Sequence, residues 1–250
     1  MSQVSSTSIF AIMSNLIENE KNRVAAMKGR ISTAVANRKE YELQERDGQL
    51  SKDFDNLEDL KDNNAVAAFF LSVGIVPEYY INSPSYDAET FEAKSGLSSV
   101  AKTSNQKAYK KMRETAEYFM HGTKLEKVLK TFVACSIISS QYHLVIPRDV
   151  CERFLNSVPL NRVSDELIEA LDHFRAKHMT GGAATQTSQC TLQLATMRAA
   201  QVVPNGRFKD FALDVNSPVV ESFAQKFNLT AELTKAREYR AKLEAETVSA

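Results

Sequence analysis

The sequence predicts a mainly α fold: an irregular multi-helix bundle with a long N-terminal helix that carries a heptad seam. Three observations lead there. Glycine and proline number only 8 and 6 in 250 residues, below their usual shares of roughly 7% and 5%, and scarce chain breakers leave room for long helices. Apolar residues recur at helical spacing along much of the chain, with Ser, Thr or Asn where several of those runs begin. Near the N-terminus the apolar positions repeat every seven residues. The same shortage of glycine counts against βαβ enzymes and β-sandwiches, which need it in turns and phosphate loops.

The first helix follows a start rich in Ser and Thr that offers Ser5, Thr7 or Ser8 as N-cap. Phe10, Ile17, Val24 and Ile31 form one row of the seam, and Met13, Met27 and Ala34 form the second, interrupted by Glu20. Such a seam serves either a helix lying on the core of its own chain or one that pairs between subunits. In the second case Phe10, Met13, Ile17, Val24, Met27 and Ile31 are the oligomerisation residues of a homo-oligomer. Leu43, Leu50 and Leu57 keep the seven-residue spacing after a phase shift, with Gly48 as a break or kink. From Asp47 to Asp62 six acids stand against two lysines, which reads as a solvated face. Residues 1–62 are thus an N-terminal helical arm.

Residues 63–180 are expected to form a helical core with a basic face. Asn63-Asn64 caps an apolar helix from Ala65 to Ser72, which Gly74 ends and Pro77 keeps from resuming. With Phe69, Phe70 and Leu71 it is apolar nearly all round, the mark of a central core helix. From Pro77 to Gly96 the pattern is irregular, with Tyr79, Tyr80 and Tyr86 among serines and Pro84. Helices are predicted from Ser104 to His121 and from Lys124 to Gln141, joined at Gly122. Pro147 stands at a first-turn position and opens a helix through Phe154. Ser164 caps an amphipathic helix with Leu167, Ile168, Leu171 and Phe174 on one face, closed by Gly181-Gly182.

Residues 181–250 supply C-terminal helices packed on that core: Ser188 to Val202, Pro218 to Phe227 capped by Ser217, and Ala231 to Glu244 capped by Thr230. Pro204-Asn205-Gly206 is a turn, and Phe208 to Val215 is a short extended piece. The last residues, from Glu244, fray.

Several function classes are excluded or disfavoured. Lys+Arg and Asp+Glu both number 31, hydrophobic residues make up 43% and charged residues 25%, as in an ordinary soluble globular protein. The longest strictly apolar stretch, Ala65 to Leu71, is far short of the ~20 residues of a bilayer span, so no membrane partner is expected. The three cysteines, Cys135, Cys151 and Cys190, have neither disulfide nor zinc spacing. The start has no basic and apolar signal-peptide regions. Together these give the expectation of a cytoplasmic protein. Phosphate-loop, dinucleotide, zinc-protease and serine-nucleophile motifs are absent, so no cofactor, metal or catalytic residue is predicted. His173 and His178 sit about 140° apart on one helix, too far round to share a metal. His121 and His143 lie at helix ends, where the dipole favours a charged ring. Gly181-Gly182 ahead of a Thr/Ser-rich helix reads as a plain loop or as backbone N–H groups open to a phosphate.

One constellation stands above this background. Between Ala101 and Lys130, eight cations (Lys102, Lys107, Lys110, Lys111, Arg113, Lys124, Lys127, Lys130) oppose three acids. At about 100° per residue from Lys107, Lys110 falls near 300°, Lys111 near 40° and Tyr118 near 20°, while Ala108, Met112, Ala116, Phe119 and Met120 fill about 100° to 220°. Lys124, Lys127 and Lys130 make a second stripe opposite Leu125, Leu129 and Val133. Lysines along a groove neutralise phosphates, and tyrosines such as Tyr118, Tyr80 and Tyr86 stack on unpaired bases of any identity. A solvated face is the alternative, since Glu114 is within reach of Lys110 and Lys111. The sequence thus points to a homo-oligomeric accessory protein that binds single-stranded nucleic acid, DNA foremost, without catalysis. A structural or adaptor protein assembling through its heptad helix is the rival reading, and a small-molecule enzyme stands third.

Overall fold

A computed structural model describes residues 58–60, 63–75, 106–156, 163–175, 182–205 and 208–248, together with Ala11, Ser14, Asn15, Ile17, Glu18, Asn19, Lys21, Asn22 and Ala25. The fold is mainly α, with a two-stranded sheet among the described residues. The chain divides into two compact units, 1–122 and 123–250.

In the first unit the described residues between 11 and 25 are helical, as are Glu58, Asp59 and Leu60. Ile17, one of the seam residues, is 5% exposed within the single chain. Phe10, Met13, Val24, Met27 and Ile31 lie outside the described residues. An ion pair of 3.1 Å joins Lys21 to Glu58.

Helix α1 (Asn64–Val73) is bounded as its sequence predicts. The Asn63 side chain accepts the Val66 N–H at 3.0 Å. At the other end Gly74 takes φ +67°, and the N–H groups of Gly74 and Ile75 reach the carbonyls of Leu71 and Phe70, a Schellman closure that a left-handed glycine makes cheap. Val66, Phe69 and Phe70 are buried. Against α1 lies α2 (Gln106–His121), with the Phe119 ring stacked on Phe69 at 4.9 Å. Arg113 meets Asp59, and Glu117 accepts from Asn63. Both partners advance in the same direction, so α1 and α2 run parallel.

The second unit is built round α3 (Lys127–Ser139), in which every residue from Thr131 to Ser139 is buried. This helix is apolar or small on all sides over that stretch, so it is covered on all sides. Phe132 contacts the Phe154 and Phe211 rings edge to face. Of the buried serines, Ser136 and Ser140 donate to carbonyls four residues back, while the Ser139 hydroxyl has no hydrogen-bond partner among the described residues. Next come α4 (Arg148–Phe154), with Pro147 as N-cap, and α5 (Asp165–Asp172), where Ser164 accepts the Leu167 N–H. Helix α5 ends at Asp172, well before Gly181-Gly182. Gly182 is instead the N-cap of α6 (Ala183–Thr196), so this helix begins five residues earlier than predicted and stops before Val202.

Residues 200–202, assigned to that helix from sequence, belong to β1 (Ala200–Asn205), which pairs antiparallel with β2 (Phe208–Leu213), Val202 opposite Phe211. The helix ends where Arg198 takes φ +53° and the Ala199 N–H reaches the Leu194 carbonyl at 2.8 Å. Beyond it, two β-branched valines precede Pro204, which disfavours helix in the residue before it. Ile146 adds a single bridge to the other edge of β2 through a reciprocal pair of bonds with Phe211. Helices α7 (Pro218–Phe227), capped by Ser217, and α8 (Thr230–Val248) complete the unit. The Arg237 guanidinium holds the Val215 carbonyl and the Glu221 carboxylate, and Arg240 holds the Leu213 carbonyl. The middle of α8 is thereby tied to the end of the hairpin.

Candidate nucleic-acid interface

The predicted basic residues fall on both units. Lys102, Tyr80 and Tyr86 lie outside the described residues, and of Lys107 only the helical backbone is described. In the first unit the cations of α2 are largely engaged. Lys110 is exposed and lies 3.8 Å from Glu114 one turn on. Arg113 sits between Asp59 at 3.8 Å and Glu117 at 3.9 Å. Tyr118 is half-buried, its ring edge to face with Phe119 at 5.3 Å.

Lys111 departs from the expectation. Helical spacing places it on the solvent face, yet it is 4% exposed, and Thr115 beside it is buried, while Met120 at the far rim of the predicted core arc is 38% exposed. The buried face of α2 is therefore rotated towards Lys111. A lysine tolerates this because its four-carbon stem is apolar, and the Thr115 hydroxyl is satisfied by the Lys111 carbonyl at 2.8 Å. Helical periodicity reports the apolar residues, and it has no means of reporting a stem that packs like one.

The second unit presents a different arrangement. Lys124, Lys127 and Lys130 are exposed, while Leu125 and Leu129 on the opposite side are buried. No carboxylate among the described residues pairs with any of the three lysines. The Lys130 Nζ lies 5.5 Å from the centre of the Phe227 ring, a cation–π distance that fixes its direction while leaving its charge unneutralised. Lys127 is the first residue of α3. The cap residue Glu126 makes no side-chain capping bond to the helix, and the first turn contains no acid. Lys127 and Lys130 thus lie in the first turns of α3, beside the cap residue Glu126, at the positive end of a helix, where cations are unfavourable and an anion is favoured. The sequence marks Phe227 only as the end of a helix. Its role at Lys130 depends on residues far apart in the chain, and no local pattern announces such a meeting.

The remaining titratable groups offer little poised chemistry. Burial pushes the Cys135 and Cys151 thiols well above their ordinary range, which disfavours the thiolate. All three cysteines are free and buried. Burial also lowers the His143 pKa, which favours the neutral ring. His121 and His173 are exposed, and His178 lies outside the described residues. Backbone and Ser164 hydrogen bonds lower the Glu166 pKa at the start of α5. Among the described residues no three His, Cys, Asp or Glu side chains are grouped to hold a metal ion, and no helix is long and apolar enough to cross a membrane.

No family model, curated protein or solved structure matches the chain.

Proposed function

We propose that the protein binds the backbone of single-stranded nucleic acid, DNA foremost, as an accessory factor without catalysis of its own, and that Lys124, Lys127 and Lys130 of the second unit carry the contact. The observation that supports this reading is that Lys127 and Lys130 in the first turns of α3, and Lys124 just before the helix, are exposed with no described carboxylate paired to them. An arrangement that places like charge against the positive end of a helix is unfavourable to the folded protein alone, and a phosphate relieves it. Lys110 and Arg113 of α2, being paired, and Lys111, being buried, have a smaller part here than the number of cations in the sequence implies. Single strands are preferred over duplex because no helix-turn-helix or finger signature accompanies the lysines.

The experiment is a titration of labelled single-stranded and duplex oligonucleotides with the full chain at low salt, followed by anisotropy. The expected result is binding that favours the single strand and weakens as salt rises. Absence of binding at low salt, where the electrostatic attraction is strongest, overturns the proposal and leaves the structural or adaptor reading in its place.

A further inference from the structure

No further inference is drawn: the strongest candidate, the exposed apolar turn of Tyr142, Leu144 and Val145 between α3 and α4 of the second unit, is an unpartnered apolar face, and nothing in the structure shows what covers it.

Discussion

Helices α2 and α3 follow one another in the chain and both carry lysines, yet they dispose of their charge in opposite ways. In α2 the basic residues are interleaved with acids at helical spacing, so Lys110 and Arg113 find Glu114 and Glu117 on their own helix and Asp59 beyond it. In α3 the charge is confined to the first turns, and everything from Thr131 onward is core. Lysines on successive helices are therefore paired or buried in one case and exposed at the start of the helix in the other. Where carboxylates stand three or four residues away matters more to a local field than how many cations a window contains.

The comparison can be broken most severely in the core of α3. Phe132→Ala removes the ring that meets Phe154 and Phe211 and is expected to cost about 3–5 kcal/mol, the usual range for an aromatic truncated in a core. Urea unfolding measures it, and a loss below about 1 kcal/mol would mean that α3 is not the central helix. Lys111 in α2 tests the other side. Because the residue is buried, Lys111→Met is expected to leave single-strand affinity unaltered. A marked fall in affinity would return Lys111 to the interface.

Two smaller effects sharpen the picture. Arg198→Gly is expected to stabilise the second unit by about 1 kcal/mol, because a left-handed backbone is strained for any residue with a Cβ. A destabilised variant would show that the arginine side chain contributes more than its backbone costs. At the far end of α3, the lowered His143 pKa means that the unfolded chain takes up the proton first. Stability owed to the neutral ring is thus complete above the unfolded value of about 6.5 and is lost as pH falls below it towards the folded value. Urea midpoints measured on either side of that value should differ less in His143→Gln than in the parent, and equal differences would remove His143 from the account.

These elements also show what the sequence makes legible. Asn63, Gly74, Ser164 and Ser217 mark helix ends correctly because a cap is a bond between residues two to five apart, and its chemistry is visible locally. The end of α6 escapes because no glycine marks it: Arg198 adopts the left-handed turn, and the helical pattern runs on into β1 unless the valines and Pro204 are weighed. The helix predicted from Lys124 begins at Lys127, so Lys124 and Leu125 precede it, while Lys127 and Lys130 are exposed and Leu129 is buried, as helical spacing predicts. The freedom of these lysines from described carboxylates is not legible, because ion pairing depends on tertiary neighbours. The heptad seam remains a prediction at five of its six named residues, and the burial of Ile17 takes that position into the chain's own core.

The most direct test of the central claim compares two triple variants of the full chain by the salt dependence of single-strand binding. Lys124→Ala, Lys127→Ala and Lys130→Ala together should lower the slope of log affinity against log salt by about 2, from roughly 0.7 for each phosphate that is no longer neutralised. Lys107→Ala, Lys110→Ala and Lys111→Ala together should leave that slope nearly unchanged, with circular dichroism confirming that both variants remain helical. A slope that collapses in the second variant and survives in the first would contradict the assignment of the interface to the start of α3.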